Sequence, residues 1–133
     1  MTKQVIPVIK EGRREEVVLD VNASKSTVML TFKSGWSKKY SGVDVYECLG
    51  KIIQEHSDLK FLCKGAKLSV RPSSMSSQMS SGIAAYEHVL GKRASRADLV
   101  NIFDYEDQDI VSDPQLQKDY FFLWLDSIKD VDE

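Results

Sequence analysis

Apolar residues fall on every second position in two stretches of the first third of the chain. Val17, Leu19 and Val21 share one face of residues 16–21, and Val28, Leu30 and Phe32 share one face of residues 27–33. Two is the strand period, and the polar run from Asn22 to Ser26 between them has the length of a hairpin connection. Residues 5–9 predict a further strand. Pro7 lacks an amide hydrogen, which places that strand at a sheet edge or makes it irregular. Residues 36–40, after the Ser34-Gly35 turn, predict another short strand.

The period lengthens after Val43. Val45, Leu49, Ile52, Ile53 and His56 line one face of a helix, with Asp44 and Glu47 near its positive end. Strands resume at residues 61–63 and 67–71 around the turn Lys64-Gly65-Ala66, and Pro72 ends that run. Met75, Met79, Gly82, Ile83, Tyr86 and Leu90 then predict one long helix, capped by Ser73 or Ser74 and closed at Gly91. The residues around that stripe are small (Ser76, Ser77, Ser80, Ser81, Ala84, Ala85). The helix is therefore expected at the centre of the fold, with Met79, Ile83 and Tyr86 buried. Ser95 and Asp98 have capping-box spacing for a short helix carrying Leu99, Ile102 and Phe103. Asp113-Pro114 opens a last helix whose apolar positions, Leu116 and then Tyr120 to Leu125 and Ile128, span more than one buried stripe. Strands followed by helices predict an α+β domain over residues 1–133. Its antiparallel or mixed sheet would have four to six strands, mostly from the N-terminal half, packed by three or four helices mostly from the C-terminal half.

Composition narrows the class. With 42% hydrophobic and 29% charged residues, and only 7 Gly and 3 Pro, the chain is neither collagen-like nor disordered. Its apolar runs are far shorter than the roughly 20 residues that a membrane-spanning helix needs. Residues 1–7 show no signal-peptide pattern, and two cysteines cannot build a disulfide scaffold, so the expected location is cytoplasmic.

Charge is unevenly distributed behind a net of −2. Residues 1–72 carry 13 Lys and Arg against 8 Asp and Glu, whereas residues 73–133 carry 5 against 12. Asp104, Glu106, Asp107, Asp109 and Asp113 form a run without a basic residue, and Asp126, Asp130, Asp132 and Glu133 close the chain. Such a run is either a solvated loop or a surface that meets a basic partner.

Catalytic signals are sparse. Cys48, His56, Cys63 and His88 lack metal-ligand spacing, and no nucleophile elbow or phosphate loop is present, so no metal, cofactor or catalytic residue is assigned. Lys33, Trp36, Lys38, Lys39 and Tyr40 interleave cations with aromatics, but the net negative charge opposes nucleic acid as a partner. Arg71 beside the Ser-rich segment could hold a phosphate, or the serines could serve packing and capping.

The acidic Asp104-Tyr-Glu-Asp-Gln-Asp109 segment and the Ser-x-Met-x-x-x-Met-x-x-Gly-x-x-Ala-Tyr run from Ser73 to Tyr86 resemble the immunity proteins of bacterial contact-dependent growth inhibition and related polymorphic toxin systems. That resemblance implies a cytoplasmic inhibitor that binds a toxin domain, often a basic nuclease. The expected protein-binding residues are Asp104, Tyr105, Glu106, Asp107, Asp109 and Asp113, with Tyr105 as the anchor. Two alternatives come from other classes. One is a small enzyme or phosphate-ligand binder with a pocket joining Arg71, Ser73, Ser74 and a histidine. The other is a homo-oligomeric structural or adaptor subunit, a homodimer for example, assembled through the last helix.

Overall fold

In the computed structural model, which describes residues 2–129, the alternating stretches form a five-stranded antiparallel sheet. Its strands are β1 (Thr2–Lys10), β2 (Arg13–Asn22), β3 (Thr27–Thr31), β4 (Ser37–Ser41) and β5 (Leu59–Phe61), in the order β4-β3-β2-β1-β5. The two-residue turn between β1 and β2 takes positive φ at both Glu11 and Gly12, the geometry that matches the twist of a hairpin. The pairs Ile6 with Val17, Leu19 with Leu30, and Val28 with Tyr40 put one set of side chains on one face. Helix α1 (Val45–Glu55) covers that face and buries Val45, Cys48, Leu49, Ile52 and Ile53 against it. Asp44 caps α1 by accepting the Glu47 amide at 2.7 Å.

β1 departs from expectation. It is nine residues long and lies inside the sheet, between β2 and β5, instead of at an edge. The Pro7 carbonyl accepts the Leu62 amide at 2.9 Å, so the polar groups of Pro7 face the β5 side. The missing N–H therefore removes nothing from the β1–β2 ladder, and β5 has already ended beside it.

The C-terminal half adds β6 (Val70–Arg71), α2 (Ser74–Ser80), β7 (Ala84–Glu87), β8 (Leu99–Asn101) and α3 (Pro114–Ser127). The second sheet has the order β6-β7-β8 and is also antiparallel. The architecture is thus α+β, with two antiparallel sheets and three helices among the described residues. None of these helices is long and apolar enough to cross a membrane.

The long helix expected from Met75 to Leu90 does not form. α2 stops after seven residues, Ser81 and Gly82 take left-handed φ values of 57° and 76°, and the chain then extends into β7. Met79 is 81% exposed, while Ile83 and Tyr86 are half-buried. Two causes combine. Serine side chains compete for backbone groups here: the Ser80 hydroxyl donates to the Ser76 carbonyl and accepts the Ala84 amide. In addition, Gly82 packs where a Cβ would meet the Asp44 carboxylate and Tyr46. The apparent helical stripe is therefore a short helix followed by a strand, and Ala85, not Met79, enters the core. Ser95 and Asp98 do make a capping box, but over a single 3-10 turn, and Leu99 begins a strand instead of continuing a helix.

α3 starts as expected, with Asp113 as cap and Pro114 in its first turn. Its inner face is unexpectedly polar. Gln117 is buried and its amide donates to the carbonyls of Gly65 and Lys67, both at 2.9 Å. The Tyr120 hydroxyl donates to the His88 carbonyl, and the Trp124 indole N–H donates to the Lys92 carbonyl. Leu116, Phe122, Leu123 and Leu125 stay exposed.

Three substitutions separate these roles in chemical denaturation. Leu49→Ala should lose about 2–5 kcal/mol, because it empties a fully buried site. Gln117→Ala should cost about 1–3 kcal/mol by orphaning the Gly65 carbonyl and leaving the Lys67 carbonyl to the Val70 amide alone. Met79→Ala should change stability by less than about 0.5 kcal/mol, as an exposed site allows.

Candidate functional site

The acidic run is a shaped loop laid antiparallel along residues 62–68. The amide of Lys64 donates to the Asp104 carbonyl at 2.8 Å, that of Leu68 to the Asp109 carbonyl at 2.9 Å, and that of Val111 to the Ala66 carbonyl at 2.9 Å. Bridges pair Cys63 with Tyr105 and Lys67 with Ile110. Asp109 turns the chain with a left-handed φ of 56°, a conformation that aspartate tolerates better than most residues.

The six expected binding residues divide into two groups. Asp104, Asp107 and Asp109 are exposed, and among the described residues none has a basic side chain within ion-pair distance. Tyr105 is 50% exposed. Its hydroxyl donates to Asp107 at 3.3 Å, and the Arg14 guanidinium lies over its ring, 5.5 Å from the centroid.

Glu106 and Asp113 are engaged internally. Asp113 accepts the Gln115 amide as the cap of α3. The Glu106 side chain is only 11% exposed. Its Oε1 accepts from Lys64 at 2.9 Å and Lys67 at 2.8 Å, while Oε2 accepts the amides of Asp107 and Gln108. Glu87 on β7 completes the cluster, 3.1 Å from both lysines. The lysine hydrogen bonds, that of Lys67 first, hold the Glu106 carboxyl down at about 2 against the opposing effect of burial.

Sequence reasoning missed Lys64, Lys67 and Glu87, because their pairing with Glu106 joins segments distant along the chain. Of the terminal acids, Asp126 pairs with Lys129 at 2.7 Å, whereas Asp130, Asp132 and Glu133 lie outside the described residues.

The other candidate groups sit away from the loop. Arg71, Ser73 and Ser74 line one groove, but neither histidine does. The serines act locally: Ser73 caps α2 by accepting the Ser76 amide, and Ser77 donates to Asp44 at 2.6 Å. His56 contacts the Tyr40 hydroxyl at 3.1 Å and packs against Phe32 and Trp36. His88 is buried beneath α3, its ring 4.2 Å from that of Trp124, and burial pushes its pKa down. Burial likewise pushes the Cys48 thiol up to about 11 and the Cys63 thiol up to about 12, so both stay protonated at neutral pH. Among the described residues no three His, Cys, Asp or Glu side chains are grouped to hold a metal ion. In the cation–aromatic strand, Tyr40 is buried and Lys38 is paired with Glu55 at 2.8 Å.

The Glu106 cluster makes a pH prediction. The folded pKa lies below the ordinary 4.5, so its stabilisation is complete above pH 4.5 and is lost as pH falls toward about 2. Glu106→Gln should cost about 1–3 kcal/mol at neutral pH. It should also flatten the acid limb of a stability-against-pH curve measured by denaturant unfolding.

The chain matches no protein-family model, and no curated protein is significantly similar to it in sequence.

Proposed function

We propose that this protein is a non-catalytic binding protein whose acidic loop docks a basic partner protein, as an immunity protein would neutralise a basic, nuclease-type toxin domain. One observation carries this reading. The backbone of the loop is held by pairing to residues 62–68, while three exposed carboxylates, those of Asp104, Asp107 and Asp109, have no ion-pair partner among the described residues and flank the half-exposed Tyr105, over whose ring Arg14 lies. A loop ordered before binding loses little conformational entropy on docking. Unpaired like charges beside it raise the encounter rate with a cationic surface. Tyr105 is the side chain suited to a desolvated anchor, since aromatics dominate interface energies while rim charges contribute mainly to steering. In this reading Glu106 shapes the loop and Asp113 caps α3, so the contacting set reduces to Asp104, Tyr105, Asp107 and Asp109.

The test uses the C-terminal domain of a large secreted protein encoded immediately upstream, if the gene has such a neighbour. Co-expression should protect cells from that domain, and biolayer interferometry should show direct binding. Converting Asp104, Asp107 and Asp109 together to Asn should slow association and flatten its salt dependence without loss of folding. Tyr105→Ala should speed dissociation by about 30-fold, equivalent to about 2 kcal/mol. An unchanged association rate in the triple variant would overturn the acidic interface. The exposed side of α3, at Phe122 and Leu125 beside Phe121, would then be the surface to test.

A further inference from the structure

A groove of about 840 Å³ opens between α1, the segment from Arg71 to Gln78 and the start of α3. No residue of the acidic loop lines it, so a ligand there would not depend on the proposed interface. Among the described lysines and arginines only three are partly buried: Lys64, Lys67 and Arg71. The two lysines share Glu87 and Glu106. Arg71, on the groove wall, has no carboxylate within ion-pair distance among the described residues, and its guanidinium makes no hydrogen bond to them. It rests instead over the Phe121 ring, 5.3 Å from the centroid. Stacking of this kind orients the planar guanidinium but leaves its fork of donors open. A charge partly withdrawn from water and left without a counter-ion is unfavourable unless something supplies the opposite charge.

Lys118 lies on the same side of α3, three residues before Phe121, and lines the same groove. It too has no carboxylate partner among the described residues. The groove's own acids are committed elsewhere. Asp44 accepts from the Glu47 amide and the Ser77 hydroxyl, and Glu47 accepts the Val43 amide and stands 3.8 Å from Lys51. The start of α2 is no anion site, because the helix has only seven residues and Ser73 already caps it.

We infer that this groove binds a small organic phosphate monoester, its dianion bridging Arg71 and Lys118 and its organic body lying against Tyr46, Pro72 and Pro114. Two cations lining one groove match a doubly charged oxyanion, and the Arg71 fork can bond two of its oxygens. The volume falls within the range of about 300–1,000 Å³ typical of small-molecule sites.

The test is an NMR titration of the ¹⁵N-labelled full chain at low ionic strength with phenyl phosphate, inorganic phosphate and phenol. Phenyl phosphate should bind saturably and shift groove amides, inorganic phosphate should bind the same site more weakly, and phenol should bind weakest. Arg71→Met, which keeps an apolar stem over Phe121, should weaken phenyl phosphate binding by about tenfold. Lys118→Gln should weaken it by about threefold, and Lys39→Gln, outside the groove, should leave it unchanged. Phenyl phosphate binding no tighter than phenol would overturn the site. So would unaltered affinity in Arg71→Met with a wild-type thermal melt. Should Arg71→Met fail to fold, the exposed Lys118→Gln decides, with unaltered affinity again overturning the site.

Discussion

Residues 62–68 follow the last strand of the five-stranded sheet, and their backbone groups bond both to that sheet and to C-terminal segments. Leu62 donates to Pro7 in β1, while Lys64, Gly65 and Leu68 donate to the carbonyls of Asp104, Ile102 and Asp109. The carbonyls of Gly65 and Lys67 in turn accept the buried amide of Gln117. Buried backbone groups left without partners are costly, so this strip is stable only when the acidic loop and α3 are both in place. Gly65 sets how closely they approach. A Cβ there would collide with Leu49 of α1 and crowd Ile102, so the contact between α1 and the segment after β8 needs a residue without a side chain.

That constraint explains the unusual face of α3. The helix is fastened by Gln117, Tyr120 and Trp124 to backbone carbonyls of two different segments. Its inner surface therefore carries hydrogen-bonding groups, and several large apolar side chains are left outside. The same strip brings Lys64 and Lys67 to Glu106 and Glu87, which draws one carboxylate of the acidic run inward and leaves three outside. The loop is thereby divided into a part that holds it and a part that it presents.

The two proposed sites rest on opposite electrostatic situations. In the loop, exposed carboxylates lack ion-pair partners among the described residues, which suits steering of a macromolecule. In the groove, a guanidinium lacks an anion on a concave, partly buried wall, which suits capture of a small ligand. A net charge near zero conceals both, because they lie in different parts of the fold and do not neutralise each other.

Local rules reached far along this chain wherever one periodicity met one buried face. The alternation in β2 and β3, the apolar stripe of α1, the Asp113-Pro114 start of α3 and the α+β class all follow from side-chain spacing, because burial against a single neighbour imposes that spacing directly. Spacing misled between Met75 and Leu90, where a helical period coincided by chance with a seven-residue helix and a following strand. The contacts that end the helix, at Gly82 against Asp44 and Tyr46, come from a segment more than thirty residues earlier. The interior position of β1 despite Pro7, the separation of Glu106 from its acidic neighbours and the unpaired state of Arg71 were likewise settled only in three dimensions. Each depends on which distant backbone or charge arrives beside the residue, and neither composition nor periodicity encodes that meeting.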